Sequence, residues 1–124
     1  MYKQSTTPFL LAVLLGLLLS HEVEAHNNPV DPNGYNQFYF DSGVLSSEGN
    51  LVDGKPEGYW KNYFESGVLK SEGNRKGHAL DSIWKFYSED GILREEISYA
   101  NGKRNGITKK YGKDGFLISS IPYE

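Results

Sequence analysis

The chain contains no cysteine, which excludes both a disulfide framework and a lipoprotein acylation site, so stability must come from packing. Histidine is scarce as well, with three in 124 residues. A zinc site built from His and Cys is therefore not expected, and no D-x-D loop offers itself to calcium, so no metal or cofactor is expected. A Ser–His–acid arrangement would have to use His78 with Asp81 and Ser82, and no glycine-framed nucleophile elbow surrounds them. A loop histidine beside an aspartate reads as a surface hydrogen-bonding group. An overall excess of positive charge is lacking too. The net charge is −3, and nucleic-acid binding is not expected.

Only one long apolar run is present, the eleven residues Phe9–Leu19. As a helix it would span about 16 Å, short of a hydrocarbon core of about 30 Å, so it does not read as a membrane span. Lys3 before it and a polar stretch ending Val23-Glu24-Ala25 after it give the pattern of a secretory signal peptide over residues 1–25. The expected address is outside the cytoplasm, secreted or periplasmic and in the cell envelope, with a new amino terminus at His26. Without Lys3, Glu22 and Glu24 the balance is 12 basic against 14 acidic residues. Residues 26–37 (HNNPVDPNGYNQ) are rich in Asn, Pro and Gly and read as a flexible leader. His26 lies there with no second metal ligand near it.

Helical periodicity is absent from residue 38 onward; repetition is present instead. The heptapeptides YFDSGVL (39–45), YFESGVL (63–69), YSEDGIL (87–93) and YGKDGFL (111–117) recur every 24 residues. Tyr39, Tyr63, Tyr87 and Tyr111 keep that step, as do Leu45, Leu69, Leu93 and Leu117 and the glycines Gly43, Gly67, Gly91 and Gly115. A fixed period of this length marks a supersecondary unit stacked on copies of itself. The repeated glycine predicts a three-residue hairpin loop, a type I turn closed by a residue of positive φ. Between heptapeptides, Gly54, Gly58, Gly102 and Gly106 suggest a Gly/Lys-rich loop of about five residues. Nine tyrosines, six phenylalanines and two tryptophans favour strands.

A two-strand unit cannot bury an apolar face alone, whereas stacked hairpins can. The expected fold is all-β: an elongated, single-layer antiparallel β-meander of 24-residue β-hairpin repeats over residues 38–124, about three and a half units. Equivalent side chains then stand two strands, roughly 9–10 Å, apart on one face. Tyr63 is expected opposite Leu69. Trp60, Trp84 and Thr108 fall on the other face, and Glu48, Glu72 and Glu96 are placed in a column beside the tryptophans. That column could suggest paired glycosidase carboxylates, but a flat sheet offers a row without a cleft, so solvated pairing with Lys or Arg is expected.

The pattern Y-x-x-x-G-[VIF]-L, a Glu three residues on, then G-K-x-x-G (Gly54–Gly58 and Gly102–Gly106) resembles the variant form of the MORN repeat. The element is degenerate at 77–82 (GHALDS), and the resemblance covers about 39–117. It implies a single-layer sheet of stacked hairpins. For function it implies scaffolds, protein-binding modules and, in some eukaryotic members, membrane-associated segments. Many bacterial relatives carry an antitoxin label, which fits poorly with an export signal.

The resulting expectation is an exported, non-enzymatic repeat protein that binds another protein, with Tyr59, Trp60 and Trp84 as candidate anchors on a rigid face. Exposed aromatic columns would also suit a glycan, as in a carbohydrate-binding module. Residues 101–113 carry Lys103, Arg104, Lys109, Lys110 and Lys113 without an acid. They read as lysines protecting a sheet edge, or as a small basic face for an anionic membrane surface.

Overall fold

The computed structural model describes residues 28–124, so the signal-peptide expectation for 1–25 and the new terminus at His26 lie outside the described residues. From there the chain forms eight strands: β1 (Tyr35–Tyr39), β2 (Leu45–Val52), β3 (Lys55–Tyr63), β4 (Leu69–Lys76), β5 (Ala79–Tyr87), β6 (Leu93–Ala100), β7 (Lys103–Tyr111) and β8 (Leu117–Tyr123). They lie in sequence order in one open antiparallel sheet.

Two kinds of turn alternate. After the odd-numbered strands comes a three-residue loop. Phe64 N–H donates to the Val68 carbonyl and Gly67 N–H to the Phe64 carbonyl, both at 2.8 Å. Gly43, Gly67, Gly91 and Gly115 have φ of 85°, 90°, 83° and 82°, the left-handed region where a Cβ is penalised. Tyr63 pairs with Leu69, but Asn62 pairs with Ser71, so Lys70 is an extra residue in β4. The same one-residue bulge follows the other three loops, at Ser46, Arg94 and Ile118.

The turns after the even-numbered strands are tighter than the five residues expected. Val52 pairs with Lys55, Lys76 with Ala79 and Ala100 with Lys103, leaving two-residue loops at Asp53-Gly54, Gly77-His78 and Asn101-Gly102. Both residues of each loop have positive φ, as a type I′ hairpin turn requires. Asp-Gly and Asn-Gly are its preferred dipeptides, and the degenerate copy makes the same turn with His78 at φ 68°. The second glycine of G-K-x-x-G is not in the loop. Gly58 and Gly106, with Ser82 between them in phase, sit inside the next strand at φ 76°, 96° and 58°.

There the ladder jumps. Glu48 pairs with Lys61 and Asn50 with Glu57, so Gly49 alone faces Gly58, Tyr59 and Trp60. Gly73 faces Ser82, Ile83 and Trp84 in the same way. In the third unit the jump falls one residue later: Ile97 pairs with Thr108, and Ser98 faces residues 105–107.

This irregularity builds the core. The Trp60 ring lies on Gly49 and the Trp84 ring on Gly73, so closely that a Cβ on either glycine would come within 2.5 Å of indole carbons. Trp60 Nε1 donates to the Asn50 carbonyl at 3.1 Å and Trp84 Nε1 to the Asn74 carbonyl at 2.7 Å, so both indoles are satisfied. Leu51 is buried with them, and Phe38, Leu80, Phe86 and Tyr99 pack around the cluster. The Arg75 guanidinium stands 5.3 Å from the Trp84 ring centroid. In the third unit bulk is exchanged across the same layer: Ile97 replaces the glycine, Thr108 replaces the tryptophan, and both are buried.

The leader is shorter than expected. Residues 31–34 are bonded to the sheet, and β1 starts at Tyr35. Asn36, buried in the column of Trp60 and Trp84, donates through Nδ2 to the Asp31 and Gly34 carbonyls and accepts from Asp31 N–H. Gly54 N–H donates to the Pro32 carbonyl, as His78 does to Pro56 and Gly102 to Leu80 one and two periods later. Residues 32–35 (PNGY) thus repeat 56–59 (PEGY) in sequence and in hydrogen bonding. Their composition, which resembles a linker, hides their repeat phase.

Candidate binding face

The tryptophans do not form a binding surface. Trp60 is 5% and Trp84 2% exposed, both covered by neighbours on their own side of the sheet. Tyr59 is exposed, but alternation along β3 puts it on the opposite face from Trp60. The three expected anchors are therefore not brought together. The wide mismatch at Gly49 and Gly73 is the reason, because it lets each indole lie flat on the adjacent strand. The in-phase pairing of glycine with tryptophan was the signal for it.

Tyr59 belongs to a face with three transverse rows. The first interleaves Tyr39, Tyr63, Tyr87 and Tyr111 with Leu45, Leu69, Leu93 and Leu117, each tyrosine paired with a leucine. The second runs Gln37, Glu48, Lys61, Glu72, Lys85, Glu96, Lys109, Ser120 across all eight strands, every neighbour in register. The third is Tyr35, Tyr59, Ile83 and Ile107, one per repeat and all between 50% and 57% exposed.

The glutamates stand on this face rather than beside the tryptophans, and tyrosines are their main partners. Tyr35 and Tyr63 hydroxyls donate to the two oxygens of Glu48, at 2.7 and 2.8 Å, and Gln37 Nε2 adds a third bond at 3.1 Å. The Tyr59 hydroxyl donates to Glu72 at 2.8 Å, and that of Tyr111 to Glu96 at 3.0 Å. Among the described residues the one ion pair within 4.0 Å is Lys109 to Glu96, so the expected pairing with lysine is the lesser part.

Charge on Glu48 and neutrality of the Tyr35 phenol support each other. The Tyr35 hydroxyl, with Gln37, holds the Glu48 carboxyl below its usual range. In return, the hydrogen bond to Glu48 pushes Tyr35 up to about 12. Burial first and Glu72 second push Tyr59 up to about 12. Tyr63, Tyr87 and Tyr111 are also raised, chiefly by burial.

The basic residues of 101–113 do not gather on one face. Lys109 points to the tyrosine side and Lys110, its neighbour along β7, to the other, while Arg104 lies over the Tyr123 ring at 5.3 Å. Nor do they guard the edge. The outermost strand is β8, where Leu117, Ile118 and Ile121 are exposed beside Phe116 of the preceding turn. Of the possible catalytic group, Ser82 donates to its neighbour Asp81 at 2.9 Å, while His78 bonds through its main chain, its carbonyl accepting from Arg75 and its N–H donating to the Pro56 carbonyl.

An open sheet of in-phase hairpins, with one face packed around aromatic rings and the other patterned in rows, defines a stacked β-hairpin repeat protein. Residues 56–76 and 80–101 match the family model of the MORN repeat variant. Such repeats are generally modules that bind proteins or membranes and are generally non-catalytic. No curated protein matches the chain.

Proposed function

We propose that the protein is exported and serves as a non-enzymatic docking module, binding another protein through the tyrosine face. One observation carries this reading: Tyr35, Tyr59, Ile83 and Ile107 form a half-exposed line with a 24-residue step, beside the Glu–Lys row. Aromatic and aliphatic side chains on a rigid backbone lose little entropy on binding and are the usual energetic centre of protein interfaces. The adjacent charges, alternating in sign, would set the register of the partner. Glycan binding is the weaker reading, because the buried tryptophans cannot offer their faces to sugar rings.

Affinity capture from the envelope fraction of the native cell tests this. Partner protein should be retained by the parent and by a Lys110→Ser control on the other face, and lost from a Tyr35→Ser/Tyr59→Ser variant of unchanged circular dichroism. Equal capture by all three would overturn the reading. Amino-terminal sequencing tests export, with His26 expected as the first residue; recovery of Met1 from a soluble cytoplasmic fraction would overturn that part.

A further inference from the structure

The tyrosine face holds a depression of about 310 Å³ lined by Ile83, Glu96, Ser98, Ile107 and Lys109. One period earlier the same five positions are Tyr59, Glu72, Asn74, Ile83 and Lys85. Acceptor and lysine are kept, while two side chains shrink, tyrosine to isoleucine and asparagine to serine. In the second unit the Tyr59 ring reaches diagonally across to Glu72 and donates its hydroxyl at 2.8 Å, and Tyr35 does the same to Glu48 in the first unit at 2.7 Å. The third unit has no phenol at that position. Glu96 keeps the bond from Tyr111, which corresponds to that of Tyr63 on Glu48, and the ion pair with Lys109 at 4.0 Å. The side from which Tyr35 approaches Glu48 is left open.

We propose that this depression receives the side chain of a tyrosine from a partner protein, its ring between Ile83 and Ile107 and its hydroxyl donating to Glu96. The inference rests on the docking role of this face and names the chemistry recognised there. The isoleucines give the ring apolar walls, and the carboxylate gives the hydroxyl the acceptor that it has in the two preceding units. Phenylalanine would desolvate Glu96 without returning a hydrogen bond. Phosphotyrosine would place a dianion against the carboxylate, so phosphorylation of the partner would block docking.

Nuclear magnetic resonance titration of the labelled protein with N-acetyl-tyrosinamide tests this directly. Saturable shifts are expected at Ile83, Ser98 and Ile107, with N-acetyl-phenylalaninamide roughly tenfold weaker, the value of one hydrogen bond to a charged group. Ile83→Tyr supplies the phenol from within the chain, as Tyr59 does, and should abolish binding while the spectrum stays dispersed. Absent shifts, equal affinity for the two amides, or undiminished binding by Ile83→Tyr would each overturn the inference. Should the amides fail while Tyr35→Ser/Tyr59→Ser still loses the captured protein, the tyrosine pocket falls and the docking role stands. Loss of both results removes both.

Discussion

The second and third repeats fill the same interior layer in opposite ways. In the second, Trp84 on β5 supplies all the bulk and Gly73 on β4 supplies none; in the third, Ile97 on β6 and Thr108 on β7 share it. A layer one side chain deep cannot borrow atoms from a second sheet. Volume added on one strand must therefore be removed from the next, and the pair of positions, rather than either residue alone, is what the fold requires.

The comparison breaks most severely at its large side chain. Trp84→Ala should cost about 3–5 kcal/mol, because no neighbour can close over Gly73. Calorimetry or urea unfolding would read this, and a melting point within a degree or two of the parent would contradict the burial described above. Gly73→Ala tests the small partner. The new Cβ would meet the indole at 2.5 Å, and the expected loss is about 1–3 kcal/mol, recovered in part when combined with Trp84→Leu. Additive effects of the two changes would show that the positions are not coupled.

Thr108 sharpens the contrast from the other side. Its Oγ1 is buried with no hydrogen-bond partner, a defect that the indole Nε1 of Trp84 avoids. Thr108→Val should therefore raise stability by about 1 kcal/mol. The smallest effect is electrostatic and belongs to the first two repeats, where tyrosines of the exposed row cap the glutamates. Folded Tyr35 and Tyr59 lie near 12 against an ordinary value of 10.0, so the folded state keeps protons that the unfolded chain releases. Their contribution is complete below pH 10 and is lost as pH rises towards 12. For Glu48 the sign reverses: its folded pKa is depressed, so its contribution is present above 4.5 and is lost as pH falls. Tyr35→Phe/Tyr59→Phe should flatten the alkaline limb of a stability–pH curve, and Glu48→Gln the acid limb.

How much of this was legible beforehand depends on the length scale. The 24-residue step fixed the unit, the meander and the pairing of Tyr63 with Leu69, because phase survives any local irregularity. Faces did not survive it. Counting back from Tyr63 and Leu69 without a bulge puts Glu72 opposite Trp60; the extra residue Lys70 moves the register by one, so that Glu72 meets Lys61 and Gly73 meets Trp60. A shift of one residue exchanges the two sides of a strand, which is why the glutamates were expected beside the tryptophans and the tryptophans on the surface. The Asp-Gly and Asn-Gly dipeptides pointed to two-residue turns but were absorbed into a longer glycine-rich loop.

The hydrogen bonds from Gly54, His78 and Gly102 to carbonyls 22 residues earlier stitch each tight turn to the preceding repeat. Chain length in this fold is consequently quantised. Excision or duplication of 24 residues, cut in the three-residue loops so that each glycine keeps its tryptophan and Ile97 its Thr108, restores every stitch with a residue of the same phase and changes only the reach of the molecule. An insertion of one or two residues within a strand disturbs the ladder on both sides. Genetic change can therefore lengthen or shorten the molecule in whole repeats far more readily than it can adjust the size of one.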